Sequence, residues 1–278
     1  MRSWTAWLAL GLGGFCLSWA SILVKWCHLP PLAVASWRLL LASFIMALWP
    51  AARRSCQLPG RAVLVGGLLL AIHFGTWIAS LSLLPVYLSV TLVTTSPLWV
   101  ALCAGERTSP PALLLAFLGT VLLSGHSLRV DAQVQPLGVV LALLGAWSMT
   151  GYLLWARAHQ PQAGQPAYAL RVYATAALVL LSLSLASGTT MNGYTREQWL
   201  CLLGLAVVPQ VLGHTFLLLA VRFGSAGWAS LTILLEPVGS ILLAVWLLEE
   251  QLVGLQVMGL LLTLAGLAGL TRSVTKSE

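Results

Sequence analysis

Residues 62–105 carry no charged side chain, an unbroken run of 44 residues. No water-facing surface can be built from such a run. A helix crossing about 30 Å of hydrocarbon uses about 20 residues, so the run holds two crossings. Leu83-Leu84-Pro85 is the natural turn between them. The rest of the chain continues in this way. Only 8% of the 278 residues are charged, against roughly 25% in soluble domains. The exterior must therefore face an apolar solvent, and the lipid bilayer is the expected partner. Thirteen Trp suit the two membrane interfaces.

Charges and Pro/Gly breaks divide the sequence into ten expected spans. They cover residues 4–24, 32–50, two within 62–105, 110–125, 137–156, 167–187, 198–221, 225–248 and 252–270. The connections include His28-Leu29-Pro30-Pro31, the polar stretch 126–136, the loop 159–166, and 188–197 with its Asn192-Gly193 turn. Trp4 to Val24 is uncharged and longer than a signal-peptide core of about 7–15 residues, so it reads as a permanent first span. The expected fold class is an all-α membrane protein.

An even number of spans places both termini on one side. If that side is cytoplasmic, Arg2, Arg53, Arg54, Arg61, Arg107, Arg157, Arg222, Arg272 and Lys276 lie inside, and Lys25, Arg129 and Arg196 outside. The positive-inside rule then gives an N-in, C-in protein of a plasma membrane, such as a bacterial inner membrane. The net charge of +7 reflects this topology. The basic residues are scattered and form no stripe, so nucleic acid is not a partner.

The sequence also repeats internally. Thr95-Ser96-Pro97 and Leu235-Glu236-Pro237 place their prolines 140 residues apart, and His73 and His214 lie 141 apart. Residues 1–128 and 129–278 thus read as two copies of a five-span unit. Five is odd, so the second copy enters the membrane inverted. Inverted repeats are a plan of secondary transporters, with the solute site near midplane between the halves.

Three motifs carry a family resemblance. They are Pro30-Pro31 with Arg38, the Ala104-Gly105-Glu106-Arg107 segment, and Leu235-Glu236-Pro237-Val238-Gly239 followed by Leu247-Leu248-Glu249-Glu250. In order and spacing the chain resembles the EamA-like branch of the drug/metabolite transporter superfamily. That resemblance implies ten spans in two EamA-like repeats, a central cavity, and export of metabolites or toxic compounds. One departure stands out. Pro237 to Glu249 is a step of 12, but Pro97 to Glu106 a step of 9. Nearly one helical turn is missing, so span 4 is expected to be short or unwound at its cytoplasmic end.

Glu236 is the sharpest site candidate. A carboxylate in mid-span costs about 2.5–3.5 kcal/mol on insertion scales, so it avoids lipid. It serves either as a substrate-cation or proton-coupling group or as a neutral or Arg-paired structural one. Its repeat partner is Ser96. His73 and Trp77 share one face of span 3, and His214 holds the equivalent place in span 8. Each histidine either meets substrate or proton or bonds a neighbouring helix. Pro97 and Pro237 each remove a helix hydrogen bond and are candidate hinges. Trp19, Trp147 and Tyr152 are candidate cavity aromatics, with ordinary packing as the alternative. Arg38 either snorkels outward, joins a structural ion pair, or meets an anionic substrate. Ala265 and Gly269 suit close helix packing, including that of a homodimer.

No phosphate-binding loop, HExxH or nucleophile elbow is present, so no catalysis and no cofactor is expected. Two histidines do not make a metal site, and the five cysteines share no CxxC spacing. The leading expectation is a secondary transporter of a small molecule, with the proton as a candidate coupling ion. The alternatives are a membrane-embedded enzyme or lipid scramblase, and a non-transporting membrane sensor.

Overall fold

The computed structural model describes residues 3–53, 58–103, 109–130, 134–216 and 226–275. Every regular element among them is helical. The chain opens with α1 (Ser3–Cys27), α2 (Pro31–Leu48) and α3 (Gly60–Leu81). The expected fourth span is divided into α4 (Val86–Val93) and α5 (Ser96–Cys103). There follow α6 (Pro110–Val130), α7 (Pro136–Ala163), α8 (Gln165–Ala186) and α9 (Arg196–Leu205). The last of these runs on as a π-helical stretch, Ala206–Gly213, and α10 (Ala226–Leu247) and α11 (Gly254–Thr275) complete the bundle.

Six described segments are long and apolar enough to cross a bilayer: Pro31–Leu48, Gly60–Leu81, Pro110–Arg129, Pro136–His159, Pro166–Ala186 and Arg196–Phe216. Shorter apolar helices cover Gly11–Cys27, Val86–Val100, Leu235–Leu247 and Gly254–Gly269. Prolines begin many of these helices, where a missing N–H costs nothing. α9 begins instead with a capping box. The Gln198 N–H donates to Thr195 Oγ1, and the Thr195 N–H donates back to Gln198 Oε1. Two helices outrun their expected ends. α6 continues through His126 and Arg129, and α7 continues past Arg157. Polarity alone does not stop a helix, and neither 126–130 nor 157–160 contains Gly or Pro.

Span 4 is divided in mid-span, and its cytoplasmic end, where a short or unwound stretch is expected, is not described. Residues 104–108, with Glu106 and Arg107, lie outside the described residues. The helix breaks at Thr94–Thr95. Their hydroxyls donate to the Val90 and Leu92 carbonyls at 2.7 Å, and Pro97 has no N–H to continue the ladder. The Thr150 hydroxyl of α7 donates to the Ser96 carbonyl at 3.2 Å.

Helices meet closely where side chains are small. Gly119 on α6 and Gly259 and Gly266 on α11 face each other's backbones, so the two helices touch nearly backbone to backbone. Gly269 faces Ala112 of α6, while Ala265 stays exposed. The tightest pairings besides α6–α11 are α3 with α7, α1 with α10, and α2 with α8. Leu114, Phe117, Leu118 and Val121 of α6 are about half exposed and form an apolar exterior face.

We predict that Gly266→Val, which collides with the Ala116 backbone, costs about 1–3 kcal/mol by overpacking. Gly11→Val meets open space and should cost nothing comparable. Thermal unfolding in detergent compares them; equal melting temperatures would contradict the packing described.

Candidate functional site: a polar pocket at the centre of the bundle

Arg38 does not snorkel. It has no exposed surface, because the interior offers its guanidinium what water would. Nε donates to Gln210 Oε1 at 2.8 Å. The guanidinium carbon lies 4.2 Å from the Phe74 ring centroid and 5.6 Å from that of Trp77, within cation–π range. Nη1 has no hydrogen-bond partner among the described residues.

Gln210 is delivered by the π-helical stretch. Pro209 sits inside it without an N–H to give, and the His214 N–H donates to the Pro209 carbonyl five residues back. Such wide turns are rare and collect at functional sites. This one carries both Gln210 and His214 to the interior. The His214 ring packs edge-on to Phe74 at 5.5 Å. His73 stacks on Trp77 at 6.0 Å and 11°, and its Nδ1 lies 2.9 Å from the Gly145 carbonyl. A carbonyl only accepts, so Nδ1 carries the proton and Nε2 the lone pair.

Glu236 is placed by the close crossing of α1 and α10. Gly239 admits Ser18, and Gly14 admits Leu235. The Ser18 hydroxyl donates to the Gly14 carbonyl at 2.8 Å, and the Ser240 hydroxyl to the Ser18 carbonyl at 3.0 Å. Glu236 and Arg38 then interact electrostatically across the pocket.

Arg38, His73, Trp77, Ser96, His214 and Glu236 line one cavity of about 30 Å³. That is room for a water and far below the roughly 300–1,000 Å³ of small-molecule pockets. Of the residues singled out by sequence, the structure therefore gathers Glu236, His73, Trp77, His214 and Ser96. Trp19 is half-buried and packs against Phe15 and Trp26, away from this cavity. Trp147 is 50% exposed and meets Trp99 edge-on. Tyr152 is buried deeper along α7. Pro97 lies just beyond the α4–α5 break, and Pro237 lies inside α10. Sequence reasoning missed Gln210 and Phe74. Pro209-Gln210 pairs a proline with a polar residue inside an apolar run, as Glu236-Pro237 does, and that signal could have found it.

A second, open concavity of about 660 Å³ lies at the end of the bundle where α1 finishes. Lys25 Nζ donates to the Leu84 carbonyl at 3.0 Å. The Glu250 carboxylate accepts from the Val86 N–H at 2.6 Å and the Tyr87 N–H at 3.1 Å. It thereby caps the N-terminus of α4. Among the described residues no cluster of three or more His, Cys, Asp or Glu could hold a metal ion.

A helical bundle with an apolar exterior and a charged, closed interior pocket defines an integral membrane protein with a buried polar site. Residues 136–272 match the EamA-like transporter family, and the chain belongs to that family, within the drug/metabolite transporter superfamily. No curated protein matches the sequence. Among solved structures, one described as the crystal structure of a protein superposes with a TM-score of 0.71 at 17% identity, covering 99% of each chain. At that identity the likeness speaks for the fold.

We predict that Gln210→Leu, which strips Arg38 of its one side-chain acceptor among the described residues, costs about 1.5–3 kcal/mol, the worth of a hydrogen bond to a charged group. Gln251→Leu, at an exposed position, is the control. Detergent unfolding midpoints that do not separate the two would contradict the role of Gln210.

Proposed function

We propose that the protein is a secondary transporter that exports a small metabolite or toxic compound by alternating access. Its architecture is ten spans in two inverted five-helix halves, oriented N-in and C-in in a bacterial inner membrane. The observation that carries this reading is the central cavity itself. His73 and Ser96 come to it from the first half, and His214 and Glu236 from the second. An enzyme's site need not draw matched positions from two repeats, whereas a site between two rocking halves must.

The packing supports the same reading. Exchanging the first five spans with the second five maps the α3–α7 contact onto that of α1 with the α9–π span. It maps α3–α8 onto the contact of α2 with the π stretch, and α1–α10 onto that of α4–α5 with α7. All of these contacts are present. A cavity of about 30 Å³ admits a metabolite only when the halves move apart, and that movement is the transport step. Glu236 and His73 Nε2 are the groups that would meet substrate or a coupling proton. The break at Thr94–Thr95 and the proline inside α10, Pro237, are where the spans would bend.

Flux in proteoliposomes tests the assignment. Glu236→Gln keeps size and loses the charge; it should insert normally and transport little, or transport without pH dependence. Normal, pH-dependent flux in that variant would remove Glu236 from the mechanism. His73→Ala should lower flux well below Arg196→Ala, a change at the exposed start of α9; equal effects would count against the cavity.

A further inference from the structure

Three tyrosines lie beyond the central cavity, and the transport reading gives them no task. Tyr152 of α7 and Tyr168 and Tyr173 of α8 are at most 2% exposed. None of their hydroxyls has a hydrogen-bond partner among the described residues. Buried Tyr hydroxyls usually find one, and a Phe at each position would fill the same space without leaving a polar atom stranded. The three hydroxyls interact electrostatically with one another, and that of Tyr173 also with Arg38. Tyr173 approaches Gln210 without closing a hydrogen bond, and Gln210 Nε2 and Arg38 Nη1 are themselves unpartnered. At the far end, a Cβ on Gly66 would meet the Tyr168 hydroxyl at 3.0 Å. Gly66 is one turn from Ala62, whose carbonyl accepts from Trp155 Nε1 at 2.9 Å near the end of α7. A line of stranded polar atoms thus runs from the cavity toward the end of the bundle where α3 and α8 begin and α7 finishes.

These atoms share a sign. Arg38 Nη1, Gln210 Nε2 and the cavity's Trp77 Nε1 can only donate, and the three phenols donate readily. We propose that Tyr152, Tyr168 and Tyr173 line a donor-rich passage between the central cavity and the α7–α8 end of the bundle, selective for solutes bearing acceptor oxygens such as carboxylates. The proposal rests on the transporter reading and adds a route and a solute chemistry to it. The passage is closed here because α3, α7 and α8 pack together. Parting them exposes the hydroxyls to the solute, and closing them buries the hydroxyls again.

The test uses charged, membrane-impermeant methanethiosulfonates on sealed vesicles. The full chain carries its five natural cysteines as serine and one reporter, Tyr168→Cys, with Gly66→Cys as the second reporter should the first fail to fold. The proposal expects labelling from the face bearing the α7–α8 connection and not from the other. It expects the anionic ethylsulfonate reagent to react several-fold faster than the cationic trimethylammonium one. It also expects Tyr173→Phe, added to the reporter, to erase most of that preference. No labelling from that face, or faster labelling by the cation, would overturn it. Flux measured on matching vesicles separates the two readings. Labelling without flux leaves the passage standing and removes the transporter, while flux without labelling removes the passage alone.

Discussion

A guanidinium with no exposed surface sits at the crossing of α2, α3 and the π-helical stretch, and the rest of the site is arranged around it. Placing Arg at the centre of a membrane span costs about 2.5–3.5 kcal/mol on insertion scales. The bundle offsets this with a hydrogen bond from Arg38 to Gln210, two aromatic faces and the opposite charge of Glu236 across the cavity. Each compensating group makes its own structural demand. Gln210 requires the π-helical stretch at Pro209. Phe74 and Trp77 require α3 to present one face inward. Glu236 requires the close α1–α10 crossing that Gly14 and Gly239 permit. Removing the arginine would relax all of these demands, and among the described residues its Nη1 has no hydrogen-bond partner.

The backbone is irregular where this interior is polar. α4 and α5 are separated at Thr94–Thr95, and α9 widens into its π-helical stretch. In a bilayer, non-helical or widened backbone is tolerated only inside protein or along a cavity, and here both irregularities border one cavity. They are also the points where little hydrogen bonding must break for a span to bend. The distant end of α4 is held more firmly, because Glu250 from the α10–α11 connection caps its first two N–H groups.

Much of this was legible in the sequence, for reasons that differ by residue. The helices followed from apolar length and proline punctuation, because a bilayer leaves few other solutions. Glu236 stood out as a carboxylate in mid-span, the 140-residue repeat paired it with Ser96 and His73 with His214, and the structure gathers all four into one cavity. Arg38 was harder. One-dimensional depth suggested an escape to the interface, and only a partner 172 residues away explains why it stays inside. Trp147 and Trp19 looked like cavity aromatics, but a span's inward face depends on its rotation in the bundle, which a nearly all-apolar helix does not encode. The shortened repeat step from Pro97 to Glu106 points to the end of span 4, which lies outside the described residues. The break at Thr94–Thr95 is a separate feature, made by two hydroxyls bonded back to their own helix, and it left no mark in the repeat spacing.

If the protein moves solute as proposed, the buried Arg38–Gln210 contact serves that movement rather than the fold. The most direct test is proteoliposome flux of the Arg38→Met/Gln210→Leu double variant, which replaces both partners with apolar groups of similar size. Such replacements of buried ionic groups are often neutral or stabilising. The expected outcome is a protein that folds and reconstitutes like the parent but carries no flux above protein-free vesicles. Flux close to that of the parent would contradict it.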